Sequence, residues 1–380
     1  MKRKFMFLTT FLIQLIVAAE MAMIGPLSPF LATYFSIDQS MVILLSFAYS
    51  AVGLLVPYLG VFGDKFGKKR SISISLVLFI LGSVIAAFAA SPFVFAFARI
   101  FIGFAYFSLS ATNLSYLSEF TSYENRGKAS GLLRAAFSAS ILLSPIVSAF
   151  FVDRYGSLAV IYIPLALVAL VALIFLSQLP ETQKSPDIVV NKSEFLSLLH
   201  NPIAKKMLIS VFLILTAPTL ILNYLGIYLT NSFHVSQANI GVIYTIAAIG
   251  TVLGTVFAGV FSDKIGKYKL AKILFAVMLI AIIPIPFVKN LILIILLAIL
   301  FSFGMDGGWT SYQALGSEVV PEKRGTFMSL MYTVNALTIT FYSLVGPIFY
   351  RLGGFSLLII IACVFLSVAL YMIANLKIKE

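Results

Sequence analysis

Residues 60–70 read GVFGDKFGKKR, and residues 259–269 read GVFSDKIGKYK. Seven of the eleven positions are identical across an offset of 199 residues, so one chain carries a glycine-bracketed basic segment twice. A second echo keeps nearly the same spacing. EFTSYENRGKASG at 119–131 is answered by EVVPEKRGTFMS at 318–329, with Glu119 and Arg126–Gly127 matching Glu318 and Arg324–Gly325. Equal offsets imply two halves of like design facing the same way, a parallel repeat.

What surrounds these segments is almost wholly apolar. The 380 residues are 61% hydrophobic and 11% charged, with a mean hydropathy of +1.06. A soluble domain is about 25% charged, so this chain has too few polar side chains to cover a water-facing surface. Apolar runs fall near 5–33, 40–63, 71–90, 93–117, 129–153, 158–178, 206–231, 237–261, 269–288, 291–316, 326–350 and 355–375. Backbone groups in lipid must be satisfied within a segment, so twelve runs of this kind predict twelve spanning helices. The seventh is the least clean, because Pro218 and Asn223 interrupt it. The N-terminus resembles a secretion signal, but its apolar run is too long for one and reads as an uncleaved first span.

The charges fix an expected topology. Of 26 Lys and Arg residues, 21 fall in tails and loops on one side, and only Arg154, Lys289 and Arg351 on the other. This split puts both termini in the cytoplasm of a multi-pass cell-membrane protein. It also accounts for most of the net charge of +12 without an anionic partner such as nucleic acid. The longest polar stretch, 179–205, reads as a linker between six-span bundles 1–178 and 206–380.

These features resemble the major facilitator superfamily. Its loop signature between spans two and three, Gly-x-Leu-Ala-Asp-Arg-x-Gly-Arg-Lys, is similar to the run from Gly60 through Asp64, Gly67 and Lys68 to Lys69. Arg99 followed four residues later by Gly103 fits the family's span-four mark. The glycine-rich fifth span of the family's antiporters is matched by Gly131, Ser140, Ser144, Pro145, Ser148 and Ala149; Gly131 and Pro145 are literal and the rest are small. The resemblance implies an all-α fold of two pseudo-symmetric bundles, alternating access, and drug:proton antiport. It also implies a monomer.

The loops then read as a gate. Gly60 permits tight packing at the end of span two, and Gly67 a sharp turn. Asp64 is expected to cap the start of span eleven near Gly325 and Thr326. Lys68, Lys69 and Arg70 are expected to reach Glu119 or Glu124, with Arg126 beside them. Asp263, Gly266, Glu318 and Arg324 form the second copy, weaker because Tyr268 replaces Lys69 and Lys269 replaces Arg70.

Charges inside spans cost at least ~2.5–3.5 kcal/mol each and mark function by default. Glu20 in span one and Asp306 in span ten are the candidates for binding a proton or a cationic substrate, since burial disfavours the charged form of a carboxyl group. By resemblance, Arg99 takes the proton-relay position. Either Glu20 or Asp306 can alternatively be structural, and Arg134 can snorkel to the surface. Arg99, Tyr106 and Asn113, spaced by seven, share one face of span four. Asn223, Tyr224, Trp309 and Gln313 are further candidates for lining a cavity, or else for joining helices.

His200 and His234 are far apart, Cys363 stands alone, and no phosphate loop or catalytic triad is present, so neither enzyme, metal site nor cofactor is expected. The reading is a secondary transporter exporting small lipophilic or cationic compounds in exchange for protons. The alternatives are a sugar or sugar-alcohol exporter, an amphiphile or lipid exporter, and a non-transporting receptor.

Overall fold

The computed structural model describes residues 2–122, 126–182, 192–319 and 321–376. Apolar composition makes them helical almost throughout: α1 (Lys2–Met23), α2 (Ser28–Tyr34), α3 (Phe47–Val52), α4 (Val56–Phe66), α5 (Lys68–Ala87), α6 (Pro92–Glu119), α7 (Arg126–Tyr155), α8 (Ala159–Ser177), α9 (Lys192–His200), α10 (Pro202–Phe233), α11 (Gln237–Ile265), α12 (Lys267–Ile282), α13 (Leu291–Val319) and α14 (Arg324–Ala374). α14 loses helical geometry at Gly353 and Gly354, so its 51 residues are two segments, 324–352 and 355–374. With that break, the eleven long apolar segments among the described residues become twelve.

Two spans differ from their expected form. The first is broken by a turn at Gly25–Pro26, which separates α1 from α2. The second alternates 3₁₀ and α geometry through Gln39–Ser46, α3, Gly53–Leu55 and α4. The seventh corrects in the other direction: α10 runs unbroken through Pro218, and Asn223 Nδ2 donates back to Thr219 O at 2.7 Å within the helix. Its start is set by Asn201, whose side chain accepts from the amides of Ile203 and Ala204 at 3.0 and 3.1 Å. The 179–205 stretch contains α9, where Lys323 Nζ reaches Ser197 Oγ at 2.7 Å.

Close helix contacts use small residues, as expected where lipid supplies no hydrophobic drive between helices. A Cβ built on Gly250 or Gly254 would lie 2.1 Å from Ile299 O or 2.2 Å from Phe303 O, so α11 and α13 touch backbone to backbone. Ser140 and Ser144 of α7 donate to the carbonyls of Leu15 and Ala19 in α1, at 2.7 and 2.6 Å. The Pro145 carbonyl lies against Gly241 of α11, and Ser148 turns back to Pro145 O at 3.3 Å. Gly131 departs from this pattern: it is exposed, and nothing occupies the space a side chain would take, so close approach in α7 begins further along.

Candidate functional site

The repeated loops build matching clusters on the face that carries most of the basic residues. Gly67 and Gly266 hold φ of 96° and 92°, the region glycine occupies without cost, and each makes the turn between consecutive helices. One residue on, Lys68 Nζ lies 3.7 Å from Asp64 and 2.8 Å from Glu119. Its equivalent Lys267 lies 3.4 Å from Asp263 and pairs with Glu318. Each offset is 199 residues, and each cluster lies within one repeat. The partner recorded for Asp64 is thus Lys68 rather than the start of α14. Arg324, at that start, donates to Ser317 Oγ at 2.8 Å. Arg70 is exposed. The packing of Gly60, the side chain of Arg126, and Glu124 lie outside the described residues.

Lys69 and Tyr268 also hold one role with different chemistry. Lys69 Nζ donates to the carbonyls of Ser177 and Leu179 at 3.1 and 2.7 Å; Tyr268 OH donates to those of Ile373 and Ala374 at 2.8 and 3.0 Å. Both donate to carbonyls at the C-terminal end of a helix, where intrahelical donors run out. The second copy thus keeps a donor to a helix end at this position.

The candidate site proper lies near the other end of α1. Arg99 Nη1 of α6 donates to Glu20 Oε1 at 2.5 Å, with the two side chains 3% and 1% exposed. Tyr162 OH of α8 donates to the same carboxylate oxygen at 3.2 Å. The Arg99 guanidinium sits 4.4 Å over the ring of Tyr49, a cation–π contact. Glu20 Oε2, Arg99 Nε and Tyr49 OH are buried with no protein hydrogen-bond partner. Buried polar groups left unpaired cost about 1–3 kcal/mol each, and three of them cluster at this ion pair.

Arg99, Tyr106 and Asn113 do share a face, and that face meets α1. Tyr106 OH lies 3.2 Å from Met21 Sδ, and Asn113 Nδ2 donates to Thr10 O at 3.0 Å. Asn113 is thus a strut between helices. Tyr224 is a strut as well: its OH donates to Ser40 O at 2.7 Å and its ring stacks on Tyr350. Asn223 is spent on its own helix. Gln313 donates to Tyr332 OH at 3.0 Å, and Trp309 is half-buried against the core. No motif or spacing in the sequence ties Tyr49 and Tyr162 to Glu20 and Arg99.

Asp306 lies apart from Glu20. Thr251 Oγ1 of α11 donates to its Oδ2 at 2.7 Å. One turn along α11, Thr255 Oγ1 accepts from Arg134 Nη2 at 3.2 Å. Arg134 is joined across the repeat boundary in this way, rather than only turned to the surface.

On the face opposite the loops, several contacts join the repeats. Gln237 Nε2 donates to Pro26 O at 2.9 Å, Asn231 Nδ2 to Gln39 Oε1 at 2.7 Å, and Arg351 Nε to Ser40 Oγ at 3.0 Å. Arg351 also lies 4.0 Å from Asp38.

The family model of the Major Facilitator Superfamily matches residues 10–225 and 207–378. The sialic acid transporter NanX of Escherichia coli (strain K12) is 29% identical over 216 residues, 56% of this chain and 53% of that protein. Inositol transporter 4 of Arabidopsis thaliana is 31% identical over 150 residues, only 25% of its own length. The riboflavin transporter RibZ of Clostridioides difficile (strain 630) is 23% identical across 82% of this chain and 80% of its own. Among solved structures, a D-xylose-proton symporter superposes with a TM-score of 0.78 at 20% identity, covering 98% of this chain and 97% of its own. The nucleoside transporter NupG reaches a TM-score of 0.81 at 15% identity over both full lengths. At these identities the structural likeness speaks for the fold alone.

Proposed function

The chain belongs to the Major Facilitator Superfamily, and from that membership we propose that it couples movement of a small polar organic solute to protons, with Glu20 as the proton site. It is a multi-pass membrane transporter and not an enzyme. The observation that carries the finer reading is the buried Glu20–Arg99 pair with its three orphaned polar atoms. Protonating Glu20 releases Arg99 from the pair and frees its N–H groups for a solute hydroxyl. Deprotonating Glu20 reclaims Arg99 and expels the solute. A proton and a solute are thereby linked through one guanidinium.

Bundles 1–178 and 206–380, joined by 179–205, would rock about this region with the basic face in the cytoplasm and the chain acting as a monomer. The polar substrates in the names of NanX and RibZ favour a polar solute. A second reading, export of lipophilic or cationic compounds by proton antiport, is favoured by Ser140 and Ser144, which let α7 approach α1 closely.

The test uses everted membrane vesicles, a pH-sensitive dye, and a panel of sugars, sugar acids, nucleosides and lipophilic cations. At least one solute should drive proton movement, and Glu20→Gln should abolish it in correctly folded protein. Undiminished proton movement in Glu20→Gln overturns the reading.

A further inference from the structure

Arg134 is a charge the coupling mechanism above does not use. It lies eight residues into α7, about 12 Å along the axis. Among the described residues it makes no ion pair. A guanidinium carries five N–H donors in a rigid fork, and one of them is accepted by Thr255. The side chain is nevertheless exposed.

The helix faces show what it is exposed to. On α7, Leu143, Val147 and Phe150 form an exposed apolar stripe, and the helical period puts Arg134 on the opposite side. On α11, Ile249, Leu253, Val256 and Val260 form such a stripe, and Thr251 and Thr255 face away from it. Arg134 and both threonines therefore turn from the lipid side toward the central side, where α7 of one repeat meets α11 of the other. The same threonine pair fixes Asp306 at its other rung.

We infer that Arg134, Thr255, Thr251 and Asp306 form a two-ended subsite for a small organic acid that also carries a hydroxyl or ammonium group. The Arg134 fork takes the carboxylate in a bidentate, charge-assisted contact. Asp306, an acceptor, takes the hydroxyl or ammonium donor. Thr251 and Thr255, four residues apart, set the two ends about 6 Å apart along α11, a spacing that hydroxy acids, sugar acids and zwitterions span. The subsite bridges the repeats, so an occupant touches both and can report its presence to each. This deepens the polar-solute reading and rests on it.

The test uses the full chain purified in detergent. The probes are lactate, gluconate, glutamate and N-acetylneuraminate, each beside its methyl ester. Binding is read by the thermal midpoint and by fluorescence of Trp309, the only Trp in the chain. At least one acid should raise the midpoint while its ester does not. Arg134→Gln should weaken that acid roughly 10- to 100-fold, the loss expected for a charge-assisted contact. Arg134→Lys, which keeps the charge but not the fork, should restore part of it. The inference falls if no acid acts, if acid and ester act alike, or if Arg134→Gln binds the acid as tightly as the native protein. Proton movement driven by neutral solutes alone would overturn the subsite and leave Glu20 coupling standing. Acid binding without any proton movement would do the reverse.

Discussion

Arg99 and Glu20 close a 2.5 Å ion pair between α6 and α1 with almost no solvent contact. Burying two charges costs several kcal/mol per ion before their attraction repays it. Removing one partner alone leaves the other stranded in a span. Arg99→Met should therefore destabilise the protein by about 3–5 kcal/mol, read as a large fall in thermal midpoint in detergent. Adding Glu20→Met should recover a substantial part of that loss while leaving transport absent. A double variant as unstable as the sum of the two singles would mean the pair does not couple as the geometry requires.

Much of this was legible in the sequence, for identifiable reasons. Apolar period and length announce spans, and the 199-residue echo announces two halves, because both are local or repeated signals. Gly67 was legible because a sharp turn between helices needs a glycine. The Glu20 partners were only partly legible. Arg99 stands out as a charge in an apolar run, but Tyr49 reaches Arg99, and Tyr162 reaches Glu20, only through packing of α3 and α8, which leaves no trace in spacing. Arg99, Tyr106 and Asn113 show the limit of periodicity: it groups them on one face without saying that the face meets α1. In the sequence Arg134 has only the look of a surface-seeking side chain, because its partner Thr255 lies 121 residues away.

The Lys68–Glu119 pair and its Lys267–Glu318 counterpart are partly exposed, so each contributes no more than about 1 kcal/mol to stability. Their effect should lie in the balance between transporter states. Lys68→Glu should lower the transport rate severalfold with little change in thermal midpoint. The exchange Lys68→Glu with Glu119→Lys should restore part of the rate, because the pair is re-formed with its sign reversed. A rate that the exchange leaves as low as the single variant would show that Lys68 acts through Asp64 instead.

On the far face, the Asp38 carboxyl is held below its ordinary value of 3.8, chiefly because the Ser40 hydroxyl donates to it, with help from the Ser40 amide and the Arg351 charge. A depressed value stabilises the folded contact above the ordinary value, and that contribution is lost as pH falls through the lowered one. It is therefore constant from pH 5 to 8. Asp38→Asn should weaken far-face closure equally across that range, shifting the transport rate without reshaping its pH profile. A profile that changes shape in Asp38→Asn would place a pH-responsive group at this contact.

Tyr268 offers the most discriminating comparison of the two repeats. Its hydroxyl satisfies the carbonyls of Ile373 and Ala374, as the Lys69 ammonium satisfies those of Ser177 and Leu179. Tyr268→Phe keeps the ring and deletes the donor, so about 0.5–1.5 kcal/mol should be lost. Tyr268→Lys brings in the group the first repeat uses, and a four-carbon stem can reach the same helix end. It should therefore recover stability that Tyr268→Phe loses, and the positive charge at a helix C-terminus adds a favourable interaction with the dipole. Thermal midpoints of the three proteins, measured side by side in one detergent, decide the matter. Should Tyr268→Lys prove less stable than Tyr268→Phe, the ring packing of Tyr268, rather than its donor, would be what the second repeat retains.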